Sequence, residues 1–264
     1  MSAHTDREFE QTVQWYPGHM AAAMRRIDDY MKLIDVVVEV VDARIPQTGR
    51  NPALLRMAAH RPRLLVMGRE DLADAARSLR WVSRDEAAGE RVALFSKRSR
   101  ADTTRLRATV RAVAGEGAVR AIVLGIPNAG KSTVINALVG RAVARVEDRA
   151  GVTRAAQWFR AGERLHVLDT AGLLPPRVDG EEAKWRLALA GAVPRARFDA
   201  QGVIAHFAAW ASDRGLEVPN LETFAQRRGF IRRGTMLDVE NASGAYLKEF
   251  ADGKLGRFTL DDPP

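Results

Sequence analysis

The stretch RAIVLGIPNAGKSTVINALVG, residues 120–140, decides the fold. Its centre, Gly125-Ile-Pro-Asn-Ala-Gly130-Lys131-Ser132, fits G-x-x-x-x-G-K-[ST], with an apolar strand pattern before it and a helical pattern after it. The glycines let the backbone curl so that N–H groups point at phosphate oxygens, at the positive end of a helix. Pro127, Asn128, Ala129, Gly130, Lys131, Ser132 and Thr133 are therefore expected to surround a nucleotide's phosphates. Lys131 would reach the β- and γ-phosphates, and the Ser132 hydroxyl would ligate Mg²⁺.

Two further pieces follow at suitable distances. LHVLDTAG (165–172) ends an apolar strand on Asp169, where a carboxylate can hold Mg²⁺ through water, and Gly172 can offer its N–H to a γ-phosphate. DRAGVTRAAQW (148–158) supplies Thr153 as a switch hydroxyl for the same ion. A D-x-x-G alone is often just a turn. Placed 44 residues after Gly125 with a Thr between, it reads as a GTPase switch.

The order of the pieces is unusual. A base-reading Asn-Lys-x-Asp normally lies downstream, and downstream there is no match. Upstream, RLLVMGRED (63–71) ends a strand with Gly68, Arg69, Glu70 and Asp71, and RVALFSKRS (91–99) ends another with Ser96 and Lys97. Base reading thus precedes phosphate binding, a circular permutation. Only Asp71 keeps the usual identity, to accept from guanine N1–H and N2–H₂. Gly68 replaces the Asn and Arg69 the Lys, so the base contact should weaken; the Arg69 stem can still pack over the base plane.

At this point the sequence resembles a known family, the YlqF/RbgA-type circularly permuted GTPases of ribosome assembly, within the TRAFAC class. The carrying segments are QWYPGHMAAAMRRI (14–27), VDARIPQTGRNP (41–52), GIPNAGKSTVIN (125–136), AGVTRAAQW (150–158), LDTAG (168–172) and GKLGRFTL (253–260). The resemblance implies GTP and GDP as ligands, a role in late assembly of the large ribosomal subunit with subunit-stimulated hydrolysis, and a helical RNA-binding C-terminal domain. It also implies that His19, in P-G-H-M, positions the attacking water, since the position after D-x-x-G holds Leu173 where many GTPases have Gln. On the residues alone, a lone His beside Gly and Pro is more often a surface or capping group. Asn128 resembles the residue that holds K⁺ in similar GTPases; the plain alternative is that it braces the loop.

The rest of the chain agrees with an α/β domain followed by helices. Buried-strand patterns occupy 34–42, 63–68, 91–96, 120–125 and 164–169, and helix patterns 18–32, 52–60, 72–82, 101–114 and 131–139. The texture changes at GLLPPRVDGEE (172–182). This divides the chain into a permuted GTPase domain (1–178) and a helical, RNA-binding domain (179–264) in which GRFTL is expected to close the chain as an extended piece. Arg227, Arg228, Arg232 and Arg233, interleaved with Phe224 and Phe230, are the RNA-contact candidates, against the alternative of a solvated charged face. Asp42 and Arg44 in VDARIP read as structural partners.

Of 264 residues, 46% are hydrophobic and none is Cys, which excludes disulfides and thiolate metal sites. No apolar run has membrane length and the N-terminus lacks a signal-peptide pattern, so a cytoplasmic protein, monomeric off the ribosome, is expected. Net charge is +8, favouring a polyanionic partner. Residues 1–120 hold 21 Lys+Arg against 16 acids, residues 121–180 hold 8 against 5, and residues 181–264 hold 12 against 12. Two readings follow: a Mg²⁺-dependent GTPase, or a nucleotide-sensing RNA-binding module that hydrolyses little.

Overall fold

The computed structural model describes residues 18–97, 100–140, 156–175, 177–232 and 236–263; the side chains of residues 18–21 and 100 are outside that description. In the described chain, α1 (Gly18–Met31) leads to β1 (Val36–Asp42), α2 (Pro52–Met57), β2 (Arg63–Gly68), α3 (Ala75–Ala87) and β3 (Arg91–Phe95). Next come α4 (Arg100–Ala114), β4 (Val119–Leu124), α5 (Lys131–Val139), β5 (Gln157–Ala161) and β6 (Leu165–Asp169). Four helices follow: α6 (Glu181–Leu189), α7 (Ala200–Ser212), α8 (Leu221–Arg228) and α9 (Val239–Ala251).

The six strands form one sheet in the order β3-β2-β1-β4-β6-β5. All neighbours are parallel except β5 and β6. The five parallel strands are those expected from sequence. β1, VVVEVVD, is buried along its whole length, as β-branched residues covered on both faces should be. Of its two buried acids, Glu39 accepts two bonds from Arg50, at 3.1 and 2.8 Å. Burial opposes the charge on Arg50, but Glu39 and Glu90 outweigh it and hold the guanidinium firmly protonated.

The strand missed from sequence is β5. QWFRA mixes two polar residues with three apolar ones and is mostly exposed at the sheet edge, unlike the continuous apolar runs of the buried strands.

The chain divides into two compact units, one of residues 15–178 with 258–264 and one containing residues 179–257. In the second unit α6–α9 close over Trp185, Phe207, Phe224, Tyr246 and Phe250. Phe207 meets Phe250 edge-on at 5.1 Å, and Phe224 meets Tyr246 at 5.0 Å.

The end of the chain differs from the expected boundary. GRFTL is extended, but residues 258–262 belong with the α/β unit rather than the helical one. Phe258 N–H donates to Leu72 O (3.2 Å) and Leu260 N–H to Arg44 O (2.7 Å). Asp261 accepts from the Gln47 and Thr48 N–H groups and the Thr48 hydroxyl at 2.8, 2.8 and 2.6 Å. Phe258, Thr259, Leu260 and Asp261 are all buried.

Candidate nucleotide site

The expected phosphate loop joins β4 to α5. Gly130 caps α5 with φ 97°, and Asn128 takes φ 57°, both in the left-handed region that aims successive N–H groups to one side. Gly125 must be glycine, because a Cβ there would collide with the Val40 carbonyl oxygen. Lys131 opens α5 and is buried; its Nζ donates to Ile126 O at 2.8 Å. Ser132 and Thr133 follow in the first turn.

Asp169 ends β6, paired in register with Val123 of β4, and is 6% exposed. Burial pushes its carboxyl upward, with Lys131 opposing. Burial also pushes the Lys131 ammonium down to about 8, with Asp169 opposing. Each charge is thus only partly compensated by the other. A polyphosphate on Lys131 and a divalent cation on Asp169 are what such a pair lacks. The donor set fits Mg²⁺, which takes few protein oxygens and keeps waters and phosphates as its other ligands: Asp169 and Ser132 would hold it. Thr153, expected to share the ion, lies outside the described residues, as do Arg233 and the side chain of His19; the His19 backbone is in the first turn of α1.

The switch lies directly on the phosphate loop. Leu173 N–H donates to Gly125 O at 3.2 Å, and the Thr170 hydroxyl to Val123 O at 2.8 Å. A Cβ on Gly172 would stand 2.7 Å from Lys131 Nζ and from the Pro127 backbone, so only glycine fits this approach. Leu173 is 1% exposed, buried away from any water-positioning role.

Three separate segments meet in the pocket next to α5. Gly68, Arg69, Asp71 and Leu72 after β2, Phe95, Ser96 and Lys97 after β3, and Gly130, Thr133 and Val134 line a cavity of about 300 Å³. The permuted order is thereby restored in space. Gly68 has a geometric reason: a Cβ there would lie 3.3 Å from Ala129 O, so the base-side loop abuts the phosphate loop backbone to backbone. Arg69, at φ 55°, lines the pocket while its Nη1 lies 3.6 Å from Asp42 Oδ2. Asp42 also accepts three bonds from Arg44, at 2.9, 3.0 and 2.7 Å. Burial opposes its charge, but Arg44 and Arg69 together hold the carboxyl below the usual carboxylate range.

In the sequence, Asn51 stands out only as part of VDARIPQTGRNP. It caps α2 through Oδ1, accepting from Ala53 N–H, and its Nδ2 donates to Leu173 O at 2.8 Å. The Asn-Pro start of a helix signals the cap; nothing local signals the second bond, which spans 122 residues.

The RNA candidates lie in the helical unit. Arg228 pairs with Glu249 at 2.7 Å and Arg232 with Asp238 at 3.1 Å; Arg227 is exposed. Phe224 is a core residue and stacks on Phe230, so these rings are not a free stacking surface.

Residues 120–210 match the family described as "50S ribosome-binding GTPase". Ribosome biogenesis GTPase A of Priestia megaterium is 33% identical, the match covering 96% of this chain and 97% of that protein. The chain belongs to the ribosome biogenesis GTPase A family. Two solved YlqF structures agree with this membership. The one titled as GDP-bound TM YlqF superposes with a TM-score of 0.73 at 29% identity, covering 90% of this chain and 99% of that one. GNP-bound YlqF from T. maritima gives 0.73 at 28% identity, covering 92% and 98%. The permuted P-loop GTPase architecture expected from the motif order is thus that of the YlqF family.

Proposed function

We propose that this chain binds GTP and hydrolyses it in the assembly of the large ribosomal subunit, with the particle stimulating hydrolysis. The observation that carries the reading is the buried Lys131–Asp169 pair, two opposite charges each opposed by burial and facing a loop of phosphate-directed N–H groups. Lys131 would bind the β/γ-phosphates. Bound Mg²⁺ would neutralise charge developing on the phosphoryl oxygens. Ser132, Thr153 and Asp169 would hold that ion, and Gly172 would donate to the γ-phosphate. His19 would position the attacking water, because buried Leu173 cannot. A K⁺ at Asn128 would add a second positive charge.

Guanine would be read by Asp71, flanked by Arg69 on one side and Ser96 with Lys97 on the other. The helical unit would contact ribosomal RNA through Arg227, Arg228, Arg232 and Arg233, with the protein monomeric and cytoplasmic when off the ribosome. Among the described residues no helix is long and apolar enough to cross a membrane.

The test is GTP against ATP turnover, with and without purified large subunits, and Lys131→Ala as control. GTP-selective turnover that rises with subunits and disappears in the variant is expected. Turnover that subunits do not raise and Lys131→Ala does not lower would instead fit a nucleotide-sensing RNA-binding module.

A further inference from the structure

We propose that the open end of the β4–β6–β5 face, on the α/β unit, is an RNA-binding surface on which Trp158 stacks an unpaired base while Arg160 and Arg164 take flanking phosphates. The proposal rests on the reading above that the chain's partner is RNA, and it places a contact where no sequence motif did.

Strand register builds the surface. Arg120 of β4 stands opposite His166 of β6, and His166 stands opposite Arg160 of β5. Directly opposed residues project to the same side of a sheet, so these three form one row across three strands. Trp158, two residues from Arg160 within β5, is on that same side, and Arg164 lies exposed in the β5–β6 turn at the end of the row. Ala118, Arg120, Trp158 and His166 line a groove of about 480 Å³.

The chemistry suits a single strand of RNA. Trp158 is 38% exposed, an apolar plane at a sheet edge that no core contact requires. Around it stand three arginines and a histidine. Among the described residues, Asp35, Glu116 and Glu163 are acids on the same border, Glu116 standing exposed two residues before Ala118. Asp35 is spent on Arg120, at 3.1 Å, and Glu163 sits in the exposed β5–β6 turn beside Arg164. Arg160 is steadied by its Nε bond to Gly162 O at 3.1 Å. An aromatic plane flanked by guanidinium groups is the arrangement that binds single strands: the ring takes a base face and the cations take the backbone.

Charge distribution points the same way. The positive excess lies in residues 1–180, whereas residues 181–264 are balanced at 12 against 12. Consistently, Arg228 and Arg232 of the helical unit are already paired with carboxylates. The chain's positive excess thus precedes the helical unit, whose own charges balance.

The experiment measures binding of the full chain to a fluorescent, mixed-sequence single-stranded RNA of roughly 20 nucleotides, the length of a few stacking sites, and to purified large subunits. The variants are Trp158→Ala, Trp158→Phe, the pair Arg160→Glu with Arg164→Glu, and Arg227→Glu with Arg228→Glu on the tail. GDP affinity reports that each variant is folded, and Arg160→Gln with Arg164→Gln replaces the reversed pair if that one is not. Trp158→Ala should weaken RNA binding about tenfold, with Trp158→Phe restoring most of it. The reversed pair should flatten the salt dependence by roughly 0.7 in logarithmic slope for each phosphate no longer neutralised. RNA binding unchanged in the sheet variants but abolished in the tail variant overturns the proposal and leaves the RNA reading intact. Loss of subunit binding with RNA binding unchanged overturns it in favour of a protein partner. Wild-type protein that binds neither RNA nor subunits overturns both.

Discussion

Asn51 Nδ2 lies 2.8 Å from the carbonyl oxygen of Leu173, tying the start of α2 to the residue after the D-x-x-G switch. The same side chain caps α2 through its oxygen. Both roles are separable by substitution. Asn51→Asp keeps the capping acceptor but loses the donor to Leu173; Asn51→Ala loses both. Removing a buried donor leaves a carbonyl unsatisfied, at about 1–3 kcal/mol, and loss of the cap adds ~1 kcal/mol. Asn51→Asp sets a buried anionic oxygen against that carbonyl, so it should melt no higher than Asn51→Ala while ionised and recover as falling pH protonates it, and both should slow GTP turnover. Equal turnover in wild type and Asn51→Asp would show that the bond does not hold the switch.

Lys131 gives the site a pH dependence with a definite sign. Burial holds its ammonium at about 8 in the fold, below its ordinary 10.5. Between these values the unfolded chain binds more protons than the folded one, so this group's contribution makes the nucleotide-free protein more stable as pH rises through the window. Phosphate binding favours the protonated amine and reverses the balance. GDP affinity should fall as pH rises above about 8, approaching tenfold per pH unit, with proton uptake on binding. Titration calorimetry in buffers of different ionisation enthalpy checks both; affinity flat from about pH 7 to about pH 9 would refute the assignment.

Gly172 leaves no room for a methyl group. A Cβ would stand 2.7 Å from the Pro127 backbone and from Lys131 Nζ, and neither is free to yield because one is main chain and the other is held by Ile126 O. Gly172→Ala should push the switch off the phosphate loop. Single-turnover hydrolysis is expected to drop at least about tenfold, as misplacing groups at a phosphoryl site does, while GDP affinity changes less. Wild-type hydrolysis in this variant would mean the approach plays no part in turnover.

Asp261 fastens the end of the chain to the loop after β1. It is 3% exposed and accepts three bonds from Gln47 and Thr48, so Asp261→Ala strands three part-buried donors. A loss of ~2–4 kcal/mol is expected, and Asp261→Asn should recover only part of it because one of its two groups donates. Urea unfolding measures this directly. A loss below ~0.5 kcal/mol would show that the tail is held by its apolar residues alone.

Much of the α/β unit is legible in the sequence because its signals are local. Five strands announce themselves by short, mostly apolar runs, and the phosphate loop by spacing that suits a strand-turn-helix. Even the permuted order can be read, since Asp71 and Lys97 each end a strand. The elements that escape depend on distant partners. β5 owes its existence to pairing with β6, Asn51 reaches a carbonyl 122 residues away, and FTLD looks like a loose terminus until Arg44, Leu72 and Thr48 are placed beside it. In one dimension Gly68 is damage to a base-reading motif. In three dimensions a Cβ there would press on Ala129 O at 3.3 Å, a tight contact that a linear pattern does not show.

The path of residues 258–262 changes what the helical part of this protein is. The polypeptide departs from the α/β unit near residue 178 and comes back to it at residue 258. The helical part is a parenthesis in the chain rather than a suffix. A stop codon after residue 178 would therefore not yield the nucleotide unit by itself, because it would delete the clasp that Asp261 and Leu260 form on the 42–48 loop. To isolate that unit the helices must be excised and the ends rejoined. Anything that pulls on the helices, equally, is transmitted along two covalent leads: one follows Gly172 and Leu173, the other returns beside Leu72.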